Sequence, residues 1–355
     1  MDKRIVRVGE LEFGGGQIFV QSMLSLPPDD IAGNIAQARR LIDVGCDVIR
    51  VAIPEKSDVK LIYALKEALG QYDVSCNTPI VADIHFDYKI AIEAVNAGAD
   101  KIRINPGNIG DEARVKAVVE ACRNAGRSGI PIRVGVNSGS AKGGIVQSAL
   151  DNICLLERFD FNDIVVSVKS SSVSKTIAAY RELFSLVPYP LHLGVTEAGT
   201  ERMGLIKSAI GIGALLNDNI GDTLRVSLTA EPEQEVKAAI DILKALGKRK
   251  GVQVISCPTC GRCKIDVIAL TEQVERILET RFRVQSRNAL EDVVIAVMGC
   301  VVNGPGECKE ADFGITGGDG VGVIFKHGEV VKKVEESELL SALMEEVDEW
   351  LNRAN

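Results

Sequence analysis

Short β-branched segments alternate with longer helical segments from about residue 18 to residue 247, and this alternation limits the folds open to the chain. Each segment pair reads as one strand followed by one helix. Eight such units over this length predict a (β/α)₈ barrel, although periodicity alone does not distinguish a closed barrel from an open, doubly wound sheet. The predicted strands are Ile18–Ser22, Asp47–Ile53, Ile80–Ile84, Lys101–Asn105, Ile132–Val136, Ile164–Val168, Leu191–Val195 and Thr223–Ser227. Helical spacing is clearest in Ile31–Val44, Lys89–Ala97, Ala113–Arg123, Thr176–Leu186 and Glu233–Leu246.

A basic, flexible stretch, Lys248-Arg-Lys250-Gly251, ends the barrel pattern and predicts a linker. We therefore expect a barrel domain that binds the substrate over residues 1–248 and a smaller α+β domain over residues 249–355. The elements predicted for the second domain are strands Val252–Ser256 and Val293–Met298, helices Asp266–Glu279 and Ser337–Leu351, and a hairpin-rich region Phe313–Lys326.

Composition narrows the classes of function. The 355 residues carry a formal net charge of −8, which disfavours a nucleic-acid partner because phosphates attract basic surfaces. The N-terminus contains no apolar run like that of a signal peptide, and no segment approaches membrane-spanning length, so we expect a cytoplasmic protein without a membrane partner. Nine cysteines in such a chain are expected to be reduced, which favours metal or cluster ligation over disulfides.

A group of cysteines and a carboxylate near the C-terminus indicates a metal centre. Cys257-Pro-Thr-Cys260 places two sulfur atoms close together, and Cys300 follows on a separate Gly-rich turn that also carries Glu307. Three thiolates leave one iron of a four-iron cluster for an oxygen ligand, which a substrate displaces more easily than sulfur. Because Cys263 and Cys308 lie within three residues of these positions, spacing alone does not choose between Glu307 and Cys308.

Basic residues recur at the ends of the predicted barrel strands, where active sites of such barrels are built. They are Arg50, Arg103, Arg133, Arg225 and Lys169. A guanidinium inside a strand-lined interior needs an anion, and several together would suit the oxygens of a phosphorylated substrate. The alternative is that each arginine pairs with a buried carboxylate of the barrel wall.

Other polar residues follow the same strands. Asp83 and His85 end the third strand, and Glu197 ends the seventh; all three could bind hydroxyl groups or transfer protons. His192 lies two residues into the seventh strand, and a hydrogen-bonded role in the core fits it at least as well as a catalytic role. Asn105 and Asn137 either orient a ligand or only begin turns.

These motifs together resemble the 4-hydroxy-3-methylbut-2-enyl diphosphate synthase family of the methylerythritol phosphate route to isoprenoids. They occur in the family's order over nearly the whole chain. The two motifs that contain Cys257 and Cys300 are highly specific. The motifs are Val20-Gln-Ser-Met23, Val81-Ala-Asp-Ile-His-Phe-Asp-Tyr88, Arg103-Ile-Asn-Pro-Gly107, Gly135-Val-Asn137, Ser167-Val-Lys169, Leu191-His-Leu-Gly-Val-Thr-Glu-Ala-Gly199, Arg225-Val-Ser-Leu-Thr229, Cys257-Pro-Thr-Cys-Gly-Arg262 and Gly299-Cys-Val-Val-Asn-Gly-Pro-Gly-Glu307.

The resemblance implies the reductive ring opening of 2-C-methyl-D-erythritol 2,4-cyclodiphosphate to an allylic diphosphate, with loss of water. It also implies a [4Fe–4S] cluster, electrons from a ferredoxin or flavodoxin, and a homodimer. By position, the cluster ligands would be Cys257, Cys260, Cys300 and Glu307. The diphosphate would be held by Arg50, Arg103, Arg133, Asn137, Lys169 and Ser227, and the carbon skeleton would contact Asp83, His85, Asn105 and Glu197, with Glu197 delivering a proton.

The chain departs from the family's usual pattern in three places. Leu24-Ser-Leu-Pro-Pro-Asp29 replaces a Thr-Asn-Thr-type segment, so the resemblance implies no role for that loop. Cys308 stands where a small inert residue is usual, and Cys263 is an additional nearby thiol. Glu307 is retained as the fourth ligand because an all-thiolate site would resist opening to a substrate.

Three other interpretations remain. One is a barrel enzyme of the aldolase or pterin type whose cysteines hold a structural zinc, although zinc sites favour two tight Cys-x-x-Cys pairs. A second is a metal-sensing or nucleic-acid-binding module, which the acidic balance disfavours. A third is thioredoxin-like use of Cys257 and Cys260, which leaves Cys300 and Glu307 without a role.

Overall fold

The structure, a computed structural model, describes residues 3–72, 77–126, 129–139, 143–282, 292–300, 309–318 and 320–354. The chain forms two compact units, Met1–Lys248 and Arg249–Asn355. Each unit has its own hydrophobic core.

A hairpin and a ring of parallel strands make up the β-structure of the first unit. The hairpin strands are β1 (Val6–Val8) and β2 (Leu11–Phe13). The ring strands are β3 (Phe19–Met23), β4 (Val48–Ala52), β5 (Ile80–Asp83), β6 (Lys101–Ile104), β7 (Ile132–Asn137), β8 (Ile164–Lys169), β9 (His192–Leu193) and β10 (Thr223–Leu224). They pair in the order β8-β7-β6-β5-β4-β3-β10-β9, and a parallel bridge between Val166 and Leu191 joins the two ends. The predicted (β/α)₈ barrel is confirmed.

Helices between the strands cover the outside of this ring. They are α1 (Ile31–Asp43), α2 (Lys60–Tyr72), α3 (Tyr88–Asn96), α4 (Pro106–Ile109), α5 (Glu112–Asn124), α6 (Ile145–Glu157), α7 (Val173–Leu186), α8 (Glu201–Asn217) and α9 (Pro232–Ala245). Side chains cap the N-termini of several of these helices. Asp30, Asp111 and Ser172 each accept a hydrogen bond from the backbone N–H of the residue three positions later. The apolar stripe of each long amphipathic helix is buried, as the spacing predicts.

The hairpin β1–β2 closes the end of the barrel where the strands begin. Its Val6, Val8 and Phe13 pack with residues near the starts of four barrel strands, Phe19, Val48, Val81 and Val165. The hairpin was not predicted, because two strands of three residues are too short for their alternation to stand out. The closed lower end leaves the carboxyl ends of the strands as the site-bearing face.

Strands β9 and β10 are shorter than predicted, with two residues each. A Cβ atom on Gly194, the residue after β9, would lie 2.6 Å from Lys169 Nζ and 2.9 Å from the Arg225 carbonyl oxygen. The backbone thus approaches a buried lysine closely at the point where β9 ends, and only glycine leaves room for that contact.

The second unit is a mixed five-stranded sheet with helices. Its strands are β11 (Val252–Ser256), β12 (Val293–Met298), β13 (Phe313–Gly318), β14 (Val321–Lys326) and β15 (Glu329–Glu335), paired in chain order. The pairs β11–β12 and β12–β13 are parallel, and the pairs after them are antiparallel. The helices are α10 (Val267–Phe282) and α11 (Leu339–Ala354), and both contribute to the core. The predicted α+β fold of this unit is confirmed.

Strand β15 lies at the edge of this sheet and was not predicted. Nearly all of its residues are exposed, so the strand lacks the buried face on which sequence alternation depends. None of the described helices is long and apolar enough to cross a membrane.

Candidate active site

The interior of the barrel brings together many of the residues that the sequence singled out. Arg50 lies in β4, Asp83 ends β5, Arg103 lies in β6, Arg133 lies in β7 and Lys169 ends β8. All five are buried. The strand register pairs Asp83 with Arg103 and Arg103 with Arg133, and paired residues share a face of the sheet, so these groups point into the barrel from successive strands.

Asp83 is the carboxylate at the centre of this group. Its Oδ2 lies 2.6 Å from Arg50 Nη2, its Oδ1 lies 3.2 Å from Arg103 Nη1, and His85 Nε2 lies 3.3 Å from Oδ2. Burial alone would raise the pKa of Asp83. Arg50, the His85 hydrogen bond and Arg103 outweigh that effect and hold the pKa well below its usual range. Asp83 is therefore a permanent anion near neutral pH.

Arg133 has no such carboxylate partner among the described residues. It is 2% exposed, and its Nη1 donates to Ser167 Oγ at 2.9 Å. Its Nε and Nη2 atoms, and the Nε atoms of Arg50 and Arg103, have no hydrogen-bond partner within the described part of the chain. Burial lowers the pKa of Arg133, and Arg50 and Arg103 lower it further. The interior thus holds more positive charge than Asp83 balances, together with unused donors for an anion.

Glycines provide the space for these side chains. A Cβ atom on Gly135 would lie 2.6 Å from Arg103 Nε and would clash with the guanidinium group. Arg103 Nη2 also donates to the Gly135 carbonyl oxygen at 3.4 Å. Glycine at position 135 thus lets the Arg103 side chain cross over the neighbouring strand.

Lys169 connects to a buried histidine. Its Nζ lies 3.2 Å from His192 Nε2, and His192 Nδ1 lies 2.8 Å from Thr223 Oγ1. Burial, followed by the charge of Lys169, lowers the pKa of His192 well below its usual value, so the imidazole is neutral. A neutral ring that accepts from Lys169 must donate from Nδ1 to Thr223. His192 therefore orients Lys169, which supports the hydrogen-bonded core role left open for it.

The remaining predicted residues lie farther along the same strand ends. Asn105 is buried and follows β6, and its Oδ1 has no partner among the described residues. Asn137 ends β7, and the half-buried Ser227 follows β10. Glu197 is exposed and has a φ of +52°, a left-handed conformation that is unfavourable for a side chain of this kind.

Arg225 pairs with a buried carboxylate, which is the alternative considered for these arginines in the sequence. Its Nε and Nη2 atoms donate to Glu235 Oε2 at 3.4 and 3.3 Å, and Glu235 Oε1 accepts from the backbone N–H of Leu228. Arg225 is thus neutralised by α9 rather than available to a ligand.

Sequence reasoning missed Lys101, the first residue of β6. It is completely buried, and its Nζ lies 4.4 Å from the centre of the Phe13 ring. The signal was present: Lys101 precedes Arg103 by two residues, so both must face the barrel interior.

The cysteines of the second unit lie at the ends of two neighbouring parallel strands. Cys257 follows β11 directly, Cys300 lies two residues after β12, and Cys257 Sγ accepts the Gly299 N–H at 3.3 Å. The backbone N–H of Arg262, followed by its side chain, lowers the pKa of the exposed Cys260. Donors aimed at sulfur favour the thiolate form, so these side chains fit a thiolate-ligated cluster.

Cys263 has a different environment. Its thiol donates to the Ile265 carbonyl oxygen at 3.3 Å, and a Cβ atom on Gly299 would lie 2.2 Å from its Sγ. The predicted fourth ligand Glu307 and its rival Cys308 lie outside the described residues. Within the described ranges, no three His, Cys, Asp or Glu side chains are grouped closely enough to hold a metal ion.

Two family models match the chain. The "GcpE TIM-barrel domain" matches residues 3–240, and the "GcpE protein C-terminal domain" matches residues 253–349. Together they cover both structural units.

Curated relatives match over nearly the full length. One from Caldanaerobacter subterraneus subsp. tengcongensis is 51% identical, over 98% of this chain and 97% of the relative. One from Fusobacterium nucleatum subsp. nucleatum is 50% identical, with the same coverage. Both are named "4-hydroxy-3-methylbut-2-en-1-yl diphosphate synthase (flavodoxin)".

Solved structures share the fold at low sequence identity. Dihydropteroate synthase from Stenotrophomonas maltophilia has a TM-score of 0.52 and 14% identity, over 69% of this chain and 97% of that one. The enzyme from Xanthomonas albilineans has a TM-score of 0.51 and 14% identity, over 69% and 98%. These likenesses concern the fold alone. On the evidence of both family models and of relatives about half identical throughout, the chain belongs to the GcpE family.

Proposed function

We propose that the chain catalyses the reductive ring opening of 2-C-methyl-D-erythritol 2,4-cyclodiphosphate to 4-hydroxy-3-methylbut-2-enyl diphosphate, in isoprenoid precursor synthesis. One C–O bond to phosphate opens and one hydroxyl leaves as water, which consumes two electrons and two protons. The names of its relatives support this reaction. The structural observation that carries the proposal is the excess of buried cationic groups in the barrel, with unused N–H donors on Arg133.

The basic residues hold the diphosphate in this proposal. Arg50, Arg103 and Arg133 supply the charge. Lys169, whose pKa is lowered well below its usual value by burial and then by Arg133, adds a hydrogen bond, as do Asn137 and Ser227. The phosphate oxygens would occupy the donors that the described protein groups leave unused. Charge developing on the opened phosphate would then meet guanidinium groups that are already in place.

Asp83, His85, Asn105 and Glu197 are proposed to contact the carbon skeleton. Asp83 is an anion near neutral pH, so it accepts hydrogen bonds from substrate hydroxyls and orients Arg50 and Arg103, but it does not supply a proton. Glu197 is the proposed proton donor. Its backbone adopts a left-handed conformation at the strand end, which the surrounding structure must stabilise.

Cys257, Cys260, Cys300 and Glu307 are proposed to hold a [4Fe–4S] cluster. The cluster would supply low-potential electrons and an electrophilic iron for the departing hydroxyl. The N–H groups aimed at Cys257 and Cys260 favour the thiolates that such a group needs. A single carboxylate ligand would be the one most easily exchanged for substrate oxygen.

A flavodoxin is the proposed electron donor, because the relatives carry that word in their names. A ferredoxin is the alternative, and a turnover assay with each reduced carrier decides between them. A homodimer is proposed from the family resemblance. Its molar mass by light scattering, measured without oxygen, tests that part.

The first experiment measures iron, zinc and acid-labile sulfide in protein purified without oxygen. Iron and sulfide near four each per chain support the cluster. The protein is then given the cyclodiphosphate and a reduced carrier, and the allylic product is measured. One zinc per chain without sulfide would remove the reductive mechanism and leave the structural-zinc interpretation.

Glu307→Ala tests the fourth ligand, with the exposed neighbour Glu310→Ala as its matched control. We expect the Glu307 variant to keep the secondary structure of the wild type and to lose iron or turnover. The control should keep both. Wild-type turnover and iron content in Glu307→Ala would exclude Glu307 from the mechanism.

A further inference from the structure

Lys101 is a buried amine for which the proposed reaction has no use. Its side chain is 0% exposed, and its Nζ has no hydrogen-bond partner among the described residues. It lies below Arg103, which is two residues farther along the same inward face of β6.

The surroundings of Lys101 come from several elements. Phe13 of the β1–β2 hairpin covers it from below, with the ring centre 4.4 Å from Nζ. Arg50 of β4, Arg133 of β7 and His192 of β9 are the charged and titratable groups that interact with it. No described carboxylate forms an ion pair with Lys101. Among the described residues, an ammonium here would meet the cations Arg50 and Arg133, the neutral imidazole of His192 and the ring of Phe13.

These surroundings disfavour a charged lysine in the free protein. Burial lowers the pKa of Lys101 well below its usual value, and Arg133 and then Arg50 lower it further. A fully buried amine with no acceptor among the described residues favours the neutral form over an isolated buried ion.

A bound diphosphate would change this balance. Its negative charges would lie among Arg50 and Arg133, the two groups whose fields oppose a charge on Lys101. With those fields cancelled, an ammonium at this position would keep the favourable contact with the face of the Phe13 ring.

We propose that Lys101 is uncharged in the free enzyme and takes up a proton from solvent when the cyclic diphosphate binds above it. Substrate binding is then coupled to proton uptake, and the buried lysine balances part of the added negative charge. The coupling depends on the proposed function, because its anion is the proposed substrate. No bond other than N–H is formed, and the proton comes from the buffer.

Calorimetry of cyclodiphosphate binding tests this coupling. Binding heats for the oxygen-free holoenzyme are measured in two buffers of different ionisation enthalpy, which gives the number of protons taken up. We expect Lys101→Met to lower that number by about one per site, and Lys101→Arg, which stays charged, to lower it equally. The exposed Lys116→Met is the control and should match the wild type.

Two results would overturn the proposal. One is an equal proton uptake in the wild type, Lys101→Met and Lys101→Arg. The other is binding by the wild type with no uptake at all. Failure to bind the cyclodiphosphate would instead contradict the proposed function, and the coupling with it.

A second measurement needs no substrate. Since the unfolded chain binds a proton at Lys101 below its usual pKa of 10.5 and the folded protein does not, wild-type stability relative to Lys101→Met should rise with pH. Chemical unfolding of both proteins from about pH 7 to about pH 9.5 measures that difference. A difference that stays constant over this range would show that Lys101 is already charged in the free protein.

Discussion

Arg133 and Arg225 both lie on barrel-strand segments, but their surroundings differ. Arg225 is paired with Glu235, whereas Arg133 donates to a neutral serine and retains two unused nitrogens. Sequence spacing placed both arginines in equivalent positions. Spacing could not distinguish the two arginines, because the carboxylate that neutralises Arg225 belongs to Glu235, ten residues later on the following helix.

This difference predicts opposite effects for two matched substitutions. Arg133→Met should weaken substrate binding by about 10- to 100-fold, through lost charged hydrogen bonds, and should leave stability unchanged or raised. Arg225→Met leaves Glu235 buried and unpaired, so it should lower the free energy of unfolding by about 3 kcal/mol. Titration with the cyclodiphosphate and urea unfolding of both variants measure these effects. A marked loss of stability in Arg133→Met would show that Arg133 is compensated in the free protein.

Asp83→Asn should weaken the pH dependence of the free energy of unfolding in the acid range. Because the pKa of Asp83 is lowered on folding, its ion pairs stabilise the protein above the usual value of 3.8 and are lost as the pH falls below it. The wild type should therefore exceed Asp83→Asn in stability near pH 7, and the gap should narrow below about pH 4.5. Urea unfolding at several pH values checks this. A gap that is independent of pH would mean that Asp83 stabilises the fold by packing alone.

At the scale of elements, prediction succeeded for segments of at least four residues with a buried face, and failed where a strand is very short or has no buried face. Strands β11 and β12 have the predicted bounds, since their β-branched runs are flanked by polar turns. The exposed edge strand β15 and the three-residue hairpin strands carry too little pattern to be recognised. The arrangement of Cys257 and Cys300 at adjacent strand ends could be expected, but the contact between Cys263 and Gly299 depends on tertiary structure.

That contact predicts different roles for neighbouring cysteines. Cys263→Ala should retain iron and sulfide, because its thiol bonds to a backbone carbonyl and packs against Gly299. Cys260→Ala should lose iron. Metal and sulfide analysis of both variants, purified without oxygen, compares them. Loss of iron in Cys263→Ala to the same degree would make Cys263 a ligand and overturn this assignment.

Phe13→Ala tests the hairpin that closes the lower end of the barrel. The ring is fully buried among residues near the strand starts, so its removal should lower the free energy of unfolding by about 3–5 kcal/mol. The exposed Phe86→Ala is the control and should have a small effect. Urea unfolding of both variants provides the comparison. Equal stability of the two would show that the hairpin does not contribute to the barrel core.

On the scale of the whole chain, the division after Lys248 makes a prediction about folding. Since Met1–Lys248 has its own closed sheet and core, a protein of residues 1–248 should fold cooperatively and show the circular dichroism of a barrel. It should have no turnover, because the proposed cluster ligands lie beyond residue 248. Thermal unfolding followed by circular dichroism measures the first property. A non-cooperative transition would show that the barrel needs the rest of the chain.

Gly135 has a consequence for inhibition. Its missing side chain leaves the space that the Arg103 guanidinium crosses, and any larger residue there would displace that group. One route to drug resistance is a substitution that fills space which a compound occupies. At position 135 the same substitution would also move an arginine proposed to hold the natural substrate. A compound whose bulk rests against Gly135 would therefore leave the enzyme no steric escape at this position that preserves its own activity.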